Sequence, residues 1–240
     1  MTYSKNEIIE QDEENTVYGY KLNQGHRIDQ AKGLVALGLF KDYDDIRNSP
    51  KQAWNKVQPG DIKYKDIPNA LGGTDNAINE YDKVALGYPS VPEIVYGFGP
   101  SIRWKNLDFS FFFQGVANTS LMMSGFAPFG TQYNRNVLSW IADDYWSETN
   151  QNPNAGYPRL TKNDNNHNMQ SSDYWLRNGA FLKLKNAEIG YTYKKCRFFV
   201  SGNNLFCFSN FKLWDPEVGA NDGLIYPTMR SYSLGASVTF

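Results

Sequence analysis

Stretches of alternating apolar and polar residues recur along this chain, and the connections between them alternate between short and long. The patterned stretches are residues 95–104, 107–117, 181–193, 197–204 and 230–240, with a weaker one at 2–10. Lys105-Asn106 and Lys194 to Cys196 are polar turns, whereas 11–93, 118–180 and 205–229 are long excursions. If each patterned stretch is a strand paired to the next, all long connections leave from one end of the sheet and all short turns from the other. Soluble sandwiches seldom segregate loops this way. Outer-membrane barrels do so as a rule, with strands of about 9–11 residues crossing the bilayer at a tilt. Six strands fall short of the roughly eight that close the smallest such barrel. The pattern therefore predicts an all-β fold that is part of a barrel wall.

The faces of these strands follow from the two-residue period of extended chain. In the closing stretch Tyr232, Leu234, Ala236, Val238 and Phe240 share one parity, and Ser231, Ser233, Gly235, Ser237 and Thr239 the other. Leu107, Phe109, Phe111 and Phe113 form a similar stripe, as do Ala187, Ile189, Tyr191 and Tyr193. Phe112 and Phe199 break the polar faces, and Leu182 and Leu184 predict a bulge or parity change near Asn186. Two settings accommodate such strands: a barrel with lipid outside and water within, or a soluble sheet with one wet side. In a soluble, surface-exposed carbohydrate-binding module, the stripes of 107–117 and 232–240 would pack against each other across a sandwich.

Composition narrows the function classes. With 24 basic and 25 acidic residues among 240, the net charge is -1 and no electrostatic footprint for nucleic acid exists. Aromatic residues make up 15% of a chain whose mean hydropathy is -0.57, a combination that suits half-apolar strands with aromatic girdles. The longest apolar-looking run, Gly33 to Phe40, is far short of the ~18 residues of a spanning helix. The opening residues lack a secretory-signal pattern. Cys196 and Cys207, eleven residues apart on one extended stretch, would stand roughly 35 Å apart and so remain unpaired.

Several stretches in order resemble the C-terminal barrel segment of SusC/RagA-type TonB-dependent outer-membrane transporters. They are PGDIKYKDI (59–67), YGFGPSIRWKNLDFSFFFQG (96–115), YPRLTKNDNN (157–166), YWLRNGAFLKLKNAEIGYTY (174–193), FVSGNNLFCFSNFKLWDPE (199–217) and the YSLGASVTF ending. The resemblance covers most of residues 16–240. It implies a partial antiparallel transmembrane β-barrel, about six strands of a 22-stranded one, with long extracellular loops and periplasmic short turns. On this reading residues 1–240 are the C-terminal part of the barrel, without plug domain or signal peptide. The implied function is active import of bulky nutrients, oligosaccharides or peptides, across the outer membrane. The implied partners are outer-membrane lipid, a SusD-like lipoprotein, TonB acting through the missing N-terminal region, the glycan or peptide ligand, and the barrel-assembly machinery. That machinery would read the terminal aromatic, here Phe240.

His26 and His167 stand outside any HxxxH or HExxH spacing, and no GxSxG elbow or P-loop is present. Glu80, Asp82, Asp143, Asp144 and Glu148 read as solvated loop charges rather than a glycosidase pair. No catalysis, cofactor or metal is expected. The Asp66–Asp82 run departs from the family's cation-ligand spacing and reads as an Asx-rich turn cluster. Trp140, Trp146, Trp175 and Trp214 lie in or beside the loops, where rings could stack on sugars or meet a partner, packing within the loops being the alternative. Residues 60–92 read as irregular loop. Val137, Leu138, Ile141, Ala142, Tyr145 and Trp146 recur at helical spacing, with Asn134 or Asn136 as cap.

Overall fold

The computed structural model describes residues 1–13, 16–124, 137–162, 165–219 and 223–240. The chain divides into two compact units: Met1–Lys5 with Pro89–Leu121 and Asn178–Phe240, and Asn6–Tyr88 with Met122–Arg177.

The first unit is an antiparallel sheet of β1 (Thr2–Tyr3), β2 (Ile94–Phe98), β3 (Ser101–Trp104), β4 (Leu107–Ala117), β5 (Phe181–Tyr193), β6 (Cys196–Ser209) and β7 (Ser231–Val238). Their order is β1-β2-β4-β5-β6-β7, with β3 also paired to β4. Pro100 divides the expected 95–104 strand into β2 and β3 because it carries no N–H for the ladder, and both halves pair with β4. The two tight turns open with Lys105 and Lys194, each at φ 54. Cys196 already pairs with Tyr193, so the second turn holds only Lys194 and Lys195.

The expected parity change near Asn186 is a bulge. Pairing steps from Asn186↔Asn203 to Leu184↔Phe206 on one side and from Phe112 to Phe113 on the other, leaving Lys185 outside both ladders. The bulge lets β6 run on to Ser209, five residues beyond the expected end at Asn204, and keeps Phe206 and Phe208 on the stripe of Phe198 and Val200. At the N-terminus pairing covers only Thr2–Tyr3, not 2–10. The weak alternation there offers no apolar face to a sheet. Cys196 and Cys207 are free thiols on one strand.

The second unit corrects the irregular-loop reading of 60–92. Short ladders join Lys32–Gly33 to Val84–Ala85, Ala36–Leu39 to Ile62–Tyr64 and, in parallel, Lys51–Gln52 to Ala77–Ile78. They enclose a core of Leu34, Phe40, Ile62, Tyr64, Ile78 and Ile141, each buried almost completely. Sparse local periodicity hides this core because its apolar residues come from segments far apart in sequence. Helix α1 (Tyr43–Arg47) is capped by Asp42, whose Oδ1 accepts from the Asp45 amide at 2.8 Å. The helix expected through Trp146 is one turn, α2 (Ser139–Ala142), with Leu138 as an uncapped N-terminus. Tyr145 leaves it to bridge Tyr157. Asn134 and Asn136 lie outside the described residues.

Candidate membrane face and loop-unit knot

The register lines the apolar stripes into rows across the sheet. Ile102, Phe109, Ile189, Val200 and Leu234 form one row, and Trp104, Leu107, Tyr191, Phe198 and Ala236 the next toward the tight turns. Phe98, Phe113, Leu184 and Phe206 form a row nearer the long connections. These side chains are open to the surroundings: Phe109 is 41% exposed, Ile189 52%, Val200 49% and Leu234 83%. A contiguous apolar surface spanning this many strands far exceeds the few hundred Å² that soluble monomers tolerate. A further row, Phe111, Ala187, Gly202 and Tyr232, lies between the first and the third, so the aliphatic-rich row of Ile102 and Leu234 is flanked by rows richer in aromatic rings. The sandwich alternative is corrected here, since the stripes of 107–117 and 232–238 line the same side of one sheet and do not face each other.

The opposite face is small and polar. Ser110, Glu188, Ser201 and Ser233 form one row. Arg197 donates to Asp108 through Nε at 3.1 Å and also through Nη2, which reaches Glu188 Oε1 at 2.6 Å. Gly190 makes this possible, because a Cβ there would overlap the Arg197 and Asp108 side chains. The two aromatic exceptions have a matching explanation. Phe112 lies over Gly97 and Gly99, and Phe199 over Gly235, filling space that those glycines leave open. Beyond the bulge, Lys183 is almost fully buried on this polar face. It binds Asp215 and, at 2.6 Å, Glu217, which also takes Lys185.

In the second unit the organising residue is Asp61, to which no sequence pattern points. It is 1% exposed, and its Oδ1 accepts from Asn165 Nδ2 at 3.0 Å and Asn168 Nδ2 at 2.9 Å. Oδ2 accepts from the Gln58 amide at 2.8 Å and Arg159 Nη2 at 3.2 Å. Asn168 in turn accepts from the Ile62 amide at 2.9 Å, and its carbonyl takes Trp175 Nε1 at 2.7 Å. Tyr64 donates to the His167 carbonyl at 3.0 Å, and His167 Nε2 bonds the Ile62 carbonyl at 2.6 Å. The bond to a carbonyl makes Nε2 the protonated nitrogen, and burial holds the imidazole below its ordinary pKa. Thus Asp61, Ile62 and Tyr64 of PGDIKYKDI, Arg159 and Asn165 of YPRLTKNDNN, and the His-Asn pair just after that stretch are the parts of one knot.

The residues singled out from sequence are placed as follows. Trp146 is 5% exposed and Trp175 4%, so both rings are enclosed by loop packing. Trp140 is half-buried with its ring 5.2 Å from Tyr157. Trp214 is half-buried against Phe211, at 4.5 Å, and borders a cavity of about 280 Å³ with Lys183 and Arg230. Phe240 is fully exposed beyond the end of β7. Both Asp82 oxygens accept backbone amides, from Ile67 and Asn79, each at 2.8 Å, closing a capping box. Among the described residues no group of three or more acidic, His or Cys side chains is arranged around a metal position.

Comparison with known proteins joins these features. No protein-family profile matches the chain. TonB-dependent receptor P26 of Formosa agariphila is 29% identical over 92% of this chain and 23% of its own length. SusC, a TonB-dependent receptor of Bacteroides thetaiotaomicron, is 24% identical over 69% of this chain and 17% of its own length. Among solved structures, the RagAB peptide transporter superposes with a TM-score of 0.66 at 18% identity, over 90% of this chain and 23% of the matched one. The chain is similar to TonB-dependent receptors of the SusC/RagA type. It spans under a quarter of the length of each of these three proteins. The likeness to the RagAB structures, which extends to the 'open-open' state at a TM-score of 0.61, concerns the fold: all-β, with an antiparallel sheet of barrel-transporter type.

Proposed function

We propose that this chain supplies barrel wall and extracellular loops to a TonB-dependent outer-membrane transporter that imports oligosaccharides or peptides. The observation that carries the reading is the sheet's division into an exposed apolar face and a polar face crossed by the Arg197 ion cluster. Lipid takes the first face and the aqueous lumen the second. The similarity to SusC and to the RagAB importers supports a transport role rather than catalysis. The chain forms the C-terminal part of the barrel, with the tight turns at Lys105 and Lys194 in the periplasm and the long connections extracellular. A SusD-like lipoprotein meets the outer side, TonB acts through a plug, and the assembly machinery engages Phe240. Of the four tryptophans, Trp140 and Trp214 keep ring surface available for cargo.

Cysteine accessibility tests the topology. With Cys196 and Cys207 replaced by Ser, a membrane-impermeant maleimide should label Leu71→Cys on intact cells. Lys194→Cys should react only after the outer membrane is opened. Leu234→Cys should resist aqueous reagent in both conditions. Labelling of Leu234→Cys from water as fast as Leu71→Cys would refute the membrane reading.

A further inference from the structure

The two tight turns stand side by side at one end of the sheet. The Thr192 amide donates to the Asn106 carbonyl at 2.7 Å, which carries the β4–β5 ladder past Leu107 toward Lys105 and Tyr193. Neighbouring strands lie about 5 Å apart, so Lys105 and Lys194 are within reach of one anion. Their side chains take a definite side of the wall. Lys105 Nζ lies 5.2 Å from the centre of the Trp104 ring, and Lys194 Nζ 5.5 Å from that of Tyr193. Both rings belong to the apolar face and are open to the surroundings, Trp104 at 66% and Tyr193 at 56%. A cation–π contact therefore holds each ammonium at the edge of that face, away from the polar side where Arg197 lies.

These charges find no answer within the sheet. Strands β2 to β7 carry two carboxylates, Asp108 and Glu188, and both are bound to Arg197 on the polar face. None of Lys105, Lys194 and Lys195 forms an ion pair among the described residues. Setting a carboxylate on Phe240 against the three lysines still leaves an excess of positive charge. Lys105 and Lys194 also hold φ 54, a left-handed conformation that asparagine and glycine adopt more readily. A ligand suited to this place brings negative charge to the turns and apolar surface to the exposed rings. A free phosphate leaves Trp104, Tyr191 and Tyr193 bare, and a zwitterionic lipid brings a cation of its own that competes with the lysines. We propose that the tight-turn rim binds an anionic phospholipid of the phosphatidylglycerol type. Its phosphodiester lies between Lys105 and Lys194, and its acyl chains run along Trp104, Leu107 and Tyr191. The proposal rests on the membrane reading of the apolar face and adds a head-group preference to it.

Trp104 is the only tryptophan in strands β1 to β7, and its fluorescence, taken as the difference between the full chain and W104F, reports the lipid beside the turns. The chain is folded into vesicles of phosphatidylcholine and phosphatidylglycerol in which one lipid or the other carries brominated acyl chains, the mixture being otherwise unchanged. Stronger quenching by brominated phosphatidylglycerol is expected, matching a preference of about fivefold for each lysine at low salt and less at high salt. K105N and K194N should each lose one such factor, and the double variant should bring the two lipids to near-equal quenching. Asparagine suits the left-handed turn position, so these variants keep the hairpins. K212Q, on the 205–229 connection, should leave the preference unchanged. The proposal is overturned, with the membrane reading intact, by equal quenching from both lipids in the unaltered chain, by a preference that survives K105N/K194N, or by an equal loss in K212Q. It is also overturned if phosphate abolishes the preference where chloride of the same ionic strength does not, since the turns then take a free anion. Quenching of Trp104 by neither lipid removes both the lipid site and the membrane reading.

Discussion

Replacing Val200 by Arg discriminates the membrane face most sharply, because the neighbouring Ser201 offers a control one residue away. Val200 lies in β6 between Ile189 and Leu234, in the aliphatic-rich row. Ser201 pairs with Glu188 and Ser233 on the opposite face. An arginine on the lipid face near the bilayer middle costs about 2–4 kcal/mol, roughly a thirty- to several-hundred-fold shift in the folding equilibrium. On a water-exposed surface the same change stays within about 0.5 kcal/mol. At Ser201 the new guanidinium enters a polar row beside Glu188, so the expected change is close to zero. Folding into phospholipid vesicles, read by heat-modifiable gel mobility across a urea series, should show a much lower midpoint for V200R and a near-native one for S201R. Equal midpoints, or the reverse order, would contradict the assignment of the faces.

Three further outcomes concern the second unit. Asp61→Ala leaves the Arg159 guanidinium and two buried amide side chains without their acceptor, and should destabilise the unit by about 3–5 kcal/mol in protease-protection measurements. His167 is neutral in the fold because burial lowers its pKa, whereas the unfolded chain takes up a proton near pH 6.5. Its contribution is therefore complete above about pH 6.5 and is lost as pH falls below that, and His167→Asn should flatten this part of the pH–stability curve. Gly60 has φ +85, and a Cβ there would overlap the Trp146 ring, so Gly60→Val should lower thermal stability by more than about 1 kcal/mol and expose Trp146 to aqueous quenchers.

Much of the sheet was legible from residue parity. Leu107, Phe109 and Phe111 face the same way as Ile189 and Tyr191 because a strand's period is two, whatever lies around it. The bulge at Lys185 was visible as a change of stripe between Leu184 and Ala187 for the same reason. The end of β6 was missed because Asn204, at φ 54, resembles a loop residue although the ladder resumes beyond it. The Asp61 knot left no periodic trace. Asp61 lies about a hundred positions from Asn165 and Asn168, and polar residues in a Gly- and Asn-rich stretch read as solvated until their partners are placed. The loop tryptophans show the same limit, since burial of Trp146 and Trp175 depends on neighbours that no local pattern names.

The sequence by itself determined the alternation of the strands, the ends from which long and short connections leave, and the likeness to SusC/RagA-type receptors. These properties are local or additive along the chain. Only the tertiary structure decided that the stripes merge into one exposed apolar face, that Phe112 and Phe199 lie over glycines, and that parts of the two longest connections condense around Asp61. Each of these depends on register or on contacts between distant segments, and the free energy of a buried hydrogen-bonded carboxylate exists only once its partners have arrived.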